Sequence, residues 1–286
     1  EEYFVPAYCT KCRHRKEMVV FMKGHEKSNF LRSDFRRALG AVELYIGIAG
    51  MLLVLLLGCM DELNENSNVI HLVWYSCFGA QFLFVMLFGA VPYACVLCED
   101  IEYGYLQQEI LRGNLTDYCL SKVVVTLTTA IFSYVTAMMI FVGILRIKYP
   151  WIAEKDSVCI AAIKRGSFHM LLERNHYYLY FLLFALQMGL LIGILALISL
   201  YVSLFIANKL LILSIPVIAY YFLSQSLIKV FPDNYYVNLD YIFGGIKNVF
   251  GNDICSFLYA CIFFTVAVII MTRFIYSKLE RRIVSE

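Results

Sequence analysis

Four of the ten cysteines stand in two C-x-x-C pairs, Cys9-Thr-Lys-Cys12 and Cys95-Val-Leu-Cys98, with His14 beside the first. Thiolates at this spacing are zinc ligands, and Cys9, Cys12, Cys95 and Cys98 would complete a tetrahedral site if the N-terminal segment folded back onto the second pair. The second pair, however, sits at i and i+3 of an apolar helical run, where two cysteines coincide easily and behave as small hydrophobes. No metal or cofactor is therefore assigned to this chain. Catalytic strings are missing as well: there is no P-loop G-x-x-x-x-G-K-S/T, no H-E-x-x-H and no G-x-S-x-G. Without backbone N–H groups to cradle phosphate, an acid and histidine cluster or a nucleophile elbow, the chain is not read as an enzyme. If ATP drives it, the ATP and Mg²⁺ belong to another polypeptide.

Apart from Glu43 near the start of the first run, the polar groups inside the apolar runs are neutral. They include Gln81, then Thr126, Thr128, Thr129, Ser133 and Thr136, then Gln187, Ser199 and Ser203, then Ser214, Ser224 and Gln225. The run interiors lack the ionisable side chains from which proton relays are built, which counts against a proton-coupled antiporter and an intramembrane metalloprotease. Hydroxyls in such runs usually bond the preceding carbonyl or glue helices together, whereas an amide wants several partners. Pro92 and Pro216 each remove a backbone hydrogen bond and are expected to kink their helices.

The elements that must carry these residues belong in lipid. Of 286 residues, 61% are hydrophobic and 16% charged, with a mean hydropathy of +0.70, too little charge to cover a water-soluble fold. The net charge of +2, spread over ends and loops, gives no footprint for nucleic acid. Six runs, at 41–60, 73–98, 123–145, 177–207, 210–228 and 254–272, reach the roughly 18–20 residues that a helix needs to cross the bilayer. The fourth is long enough to tilt, kink or run past it. The sequence thus predicts an all-α polytopic membrane protein with six transmembrane helices. It divides into an N-terminal segment at 1–40, a six-span domain at 41–276 and a tail at 277–286. Within the first segment, Ser28 can cap a helix whose Leu31, Phe35 and Leu39 form an apolar stripe, as in a helix lying in the membrane interface. The start, EEYFVPAYCTKCRHRK, lacks the features of a signal peptide, so the first span is expected to serve as its own insertion signal.

Six spans put both ends on one side. Sixteen Lys and Arg fall on that side and eight on the other, which predicts plasma-membrane insertion with both termini cytoplasmic. The loop at 146–176 opposes the trend with six basic residues on the outer face, and is long enough to be a small folded element. The loop at 229–253, punctuated by Pro232, Gly244, Gly245 and Gly251 among aromatics, predicts a compact structure at the interface. The segment 99–122 carries five acids, Glu99, Asp100, Glu102, Glu109 and Asp117, on a face where basic residues are the default, and this points to a protein partner.

Three stretches carry a resemblance: F-L-R-S-D-F-R-R-A-L before the first span, the charged turn from Glu99 to Gly104 after the second, and L-Y-V-S-L-F-I-A-N-K-L-L from Leu200 to Leu211, leading to Pro216. With the basic tail, the arrangement resembles the permease subunits of ABC-2 type transporters, the type V exporter-like fold of bacterial ABC transporters. That resemblance implies an N-terminal interfacial helix and a cytoplasmic coupling helix between spans two and three. It makes Glu102, Tyr105, Leu106, Gln108, Glu109 and Arg112 the contacts to a nucleotide-binding ATPase subunit, with Gly113 ending the helix and Asn114 or Thr116 capping the third span. It implies a second permease copy or homologue, as homo- or heterodimer, and a substrate path along spans two and five lined by Phe78, Gln81, Phe82, Val85, Tyr220 and Ser224. The expected function is export of an amphipathic or peptidic substrate by alternating access. The alternative is a non-transporting assembly, sensor or immunity subunit on the same fold.

Overall fold

The computed structural model describes residues 30–64, 67–106, 114–153, 156–231, 236–245, 248 and 250–285. Every regular element among them is a helix. We number them α1 (Phe30–Gly40), α2 (Val42–Gly58), α3 (Val69–Phe78), α4 (Phe82–Ala90), α5 (Val96–Glu102), α6 (Leu115–Lys148), α7 (Ser157–Arg165), α8 (His169–Glu173), α9 (Tyr177–Val202), α10 (Lys209–Val230), α11 (Leu239–Ile242) and α12 (Asp253–Ser285). Five are long and apolar enough to cross a membrane, and α3 with α4 makes a sixth if the bent pair counts as one span.

Burial orders these helices around α9. In α9, 72% of the apolar window is buried, against 17% in α10 and 11% in α12, so α9 is the axis and the last two spans are its outer staves. Tyr180, Phe181 and Phe184 of α9 are fully buried, and α6, α12, α10 and α4 all pack on it. The chain closes on the other side through α2, which lies against α6 and α4. Several hydroxyls inside the spans are satisfied locally: Thr126, Thr129 and Ser133 each donate to the carbonyl four residues back, and Ser199 does the same, whereas Ser76 reaches the Leu55 carbonyl of α2.

The second apolar run, read from the sequence as one helix over 73–98, is three. α3 and α4 meet at a 72° bend, and the chain leaves helical geometry again at 91–95, around Pro92. At the first break Gly79 turns extended and Gln81 packs back on α2. Its side-chain amide donates to the Gly58 carbonyl at 3.1 Å, and a Cβ on Gly58 would stand 2.8 Å from that amide nitrogen. The amide is thus wedged where glycines leave room, and hydropathy alone gives no sign of it. Other bounds also move. α6 and α12 run well past the apolar runs at 123–145 and 254–272, while α9 ends at Val202, before the expected 207. Pro216 lies inside α10 and does not interrupt it.

The loop at 146–176 is folded, as α7 and α8, and Asn114 caps α6 by accepting from the Thr116 amide. Ser28, Gly113, Cys9 and Cys12 lie outside the described residues.

Candidate functional site

α1 presents two faces. Leu31 and Leu39 are exposed, available to lipid, while the buried face consists of Phe30, Asp34 and Ala38, one residue out of phase. A carboxylate on the buried face needs a partner, and α6 supplies it. Lys122 Nζ lies 2.8 Å from Asp34 Oδ1 and 2.9 Å from Asp100 Oδ2, so it joins α1, α5 and α6 at one point.

From that point six charges run in a chain of alternating sign: Asp34, Lys122, Asp100, Arg37, Glu99 and Lys209. Arg37 reaches Asp100 through Nη1 at 2.8 Å and Glu99 through Nη2 at 2.9 Å. Lys209 Nζ, at the start of α10, closes on Glu99 at 2.7 Å. Neutral donors complete the buried end: Tyr118 donates to Asp100 at 2.8 Å and Ser121 to Asp34 at 2.6 Å. Lys122 Nζ also sits 5.0 Å from the centre of the Tyr118 ring, within cation–π range. The chain has a buried end, with the Asp34, Lys122 and Asp100 side chains 10%, 4% and 3% exposed, and a wetter end, with Arg37, Glu99 and Lys209 at 43%, 25% and 52%. Burial alone would raise the Asp100 pKa. The Lys122 charge, with hydrogen bonds from Arg37, Lys122 and Tyr118, outweighs it and holds the carboxyl below its usual range.

This network stands at the base of the charged turn. Beyond it the chain leaves α5 at Gly104, whose φ of 68° is left-handed. Of the residues expected to meet a partner, Glu102 and Tyr105 are exposed, and Tyr103 is exposed beside Tyr105 with ring centres 6.1 Å apart. Leu106 is only 4% exposed and belongs to the core, so it anchors the turn. Gln108, Glu109 and Arg112 lie outside the described residues.

The six candidate path residues fall near one another but face differently. α4 packs on α10, which brings the two groups together. Phe82 and Val85 point into the core, Phe82 edge-on to Tyr134 at 6.2 Å. Phe78 is exposed and packs against Trp74, Gln81 is held by Gly58, the Tyr220 hydroxyl donates to Asp240, and Ser224 is buried. Gln187 donates to the Ile242 carbonyl while its own buried carbonyl oxygen has no hydrogen-bond partner among the described residues.

Two carboxylates pin the loops at the opposite end. Asp156 caps α7, accepts from Asn68 at 2.6 Å and lies 2.8 Å from His71 Nδ1. Burial pushes its pKa up, but the Val158 amide, Asn68 and His71 together bring it below the usual carboxylate range. Asp253 accepts from the Phe168 amide at 2.9 Å and from Asn248 at 2.7 Å, tying the start of α12 to α8. Among the described residues no three His, Cys, Asp or Glu side chains are placed to hold a metal ion. Cys98 is buried with its thiol on the Ala207 carbonyl at 3.3 Å, and Cys95 is half-buried.

In the sequence, Arg37, Lys122 and Lys209 entered only the count of basic residues on one membrane face, and Asp34 was not singled out. The available signal was spacing: Asp34 lies four residues from both Phe30 and Ala38, the period of one helix face. Comparison with family models, with curated proteins and with solved structures finds no match.

Proposed function

We propose that this chain is the permease subunit of an ATP-binding-cassette exporter. In this reading both termini are cytoplasmic, a separate ATPase subunit docks on the turn between α5 and α6, and a second permease copy or homologue stands alongside. ATP-driven closure of the ATPases moves the turn, and the spans respond by alternating access for an amphipathic or peptidic substrate.

The observation that supports it is the ion-pair chain. A turn that exposes Glu102, Tyr103 and Tyr105 is rooted in α5, and α5 is tied by Asp100 and Glu99 to α1, α6 and α10. A push on the turn is thereby delivered to four elements rather than absorbed in a loop. Aromatic side chains beside charge are also what protein interfaces favour as anchors.

The test is co-expression with a P-loop ATPase encoded beside this chain. The expected result is co-purification and stimulated ATP hydrolysis, lost in a Glu102→Ala, Arg112→Ala double variant that still folds. An ATPase that fails to bind the wild-type chain, or that is stimulated equally by the variant, overturns the reading.

A further inference from the structure

Between α6 and α12 lies an open groove of about 800 Å³. Its walls are Leu120, Val123, Val124 and Leu127 on one side and Val268 and Ile269 on the other, with one cation, Arg273. The candidate path residues lie elsewhere, on α3, α4, α10 and the turn between α3 and α4.

The membrane fixes what this groove meets. Residues 116 to 127 of α6 line it, a rise of about 17 Å, close to half of a hydrocarbon core about 30 Å thick. Arg273 lies twenty residues along α12 from Asp253, about 30 Å of helix, so it stands at the boundary opposite Asp253. The groove is therefore one leaflet deep, apolar along its length and cationic near the headgroup level. Arg273 is exposed, and no described residue pairs with it. A second copy of α12 would bring a second unpaired arginine into the same groove, whereas an anionic headgroup supplies the missing charge.

We infer that this groove holds one acyl chain of an anionic phospholipid from the leaflet on the side of the chain ends, with Arg273 reading the headgroup phosphate and charge.

The test is reconstitution of the full chain in nanodiscs of equimolar phosphatidylcholine and phosphatidylglycerol, followed by mild extraction and native mass spectrometry of retained lipid. Phosphatidylglycerol should be retained about fivefold over phosphatidylcholine, the factor one basic residue gives towards an anionic surface. Arg273→Gln should bring the ratio to about one and Arg273→Lys should keep it. Leu120→Trp, at a position 45% exposed, should fill the groove and remove one lipid of either headgroup. Equal retention by the wild-type chain, or an enrichment unchanged in Arg273→Gln, overturns the inference. So does a Leu120→Trp variant that keeps its lipid but loses a dimer, because the groove would then be an interface between copies.

Discussion

Lys122 is the side chain on which the buried end of the network depends, and Lys122→Met tests it most sharply. The lysine is 3% exposed and its ammonium serves two carboxylates, Asp34 at 2.8 Å and Asp100 at 2.9 Å. Methionine fills a similar volume without the charge, so the substitution isolates electrostatics from packing. Asp100 keeps Arg37 and Tyr118, whereas Asp34 keeps the Ser121 hydroxyl and the neighbouring buried Tyr93 hydroxyl but no cation among the described residues. Stripping one partner from a buried ion pair costs about 3–5 kcal/mol, because the remaining charge stays in low dielectric. At roughly 2–4 °C per kcal/mol, melting should fall by about 6–20 °C. A thiol-reactive dye reads the transition, since Cys59, Cys77, Cys98, Cys119 and Cys159 are free and buried. Asp34→Asn in the Lys122→Met background removes the stranded acid, so the double variant should melt above the single one. The cycle should give a coupling of about 0.5–3 kcal/mol. A single variant within about 2 °C of wild type, or a cycle with no coupling, would refute the claim that this lysine is held by charge.

Two further perturbations probe separate links. Asp100 has a pKa below the usual range in the folded chain. Its contribution is therefore complete above the unfolded value of about 3.9 and is lost as pH falls through the folded value. The stability advantage of wild type over Asp100→Asn should stay level from neutral pH to about pH 5 and shrink below about pH 4; an advantage that grows on acidification contradicts the assignment. At the contact between α4 and α9, a Cβ on Gly89 would overlap Ile192 Cγ2, a stiff β-branched side chain. Gly89→Ala should cost about 1–3 kcal/mol by overpacking, and Ile192→Ala should relieve it in the double variant, both read by the same dye assay.

The spans were legible because hydropathy is a sum over many residues, and single side chains hardly change it. The break in the second run was not, because Gly79, Ala80 and Gln81 leave the run apolar on average. At the break Gly79 is extended and the Gln81 amide bonds the Gly58 carbonyl, 23 residues away in sequence. The network was hidden for the same reason. Asp34 and Lys122 are 88 residues apart, and neither is unusual beside its neighbours. On α1 the apolar stripe of Leu31 and Leu39 is the exposed face, and the buried face of Phe30, Asp34 and Ala38 is partly polar. The charged turn after α5 was legible as an exposed, charged segment, while the residues that root it were not.

The gradient of exposure along the ion-pair chain decides where this assembly is stiff and where it can give. At the buried end, each pair is hard to break because neither charge can return to water where it stands. Hence α1, α5 and the first turns of α6 behave as one body. At the exposed end, the Lys209–Glu99 pair is half in solvent and is worth about 0–1 kcal/mol, so water can replace either partner at little cost. The seam between that body and the turn from α9 to α10 is therefore the weakest polar joint in the network. Among the described residues the Cys98 thiol on the Ala207 carbonyl reinforces it, while Arg282 ties the same turn, through the Leu204 carbonyl, to α12 instead. A displacement of the 103–106 turn would thus carry α1 and the base of α6 with it and slip first against the start of α10. That helix is the one on which Tyr220 and Ser224 stand, so any motion entering at the turn reaches the α4–α10 contact as a relative shift, not as a bend within α5.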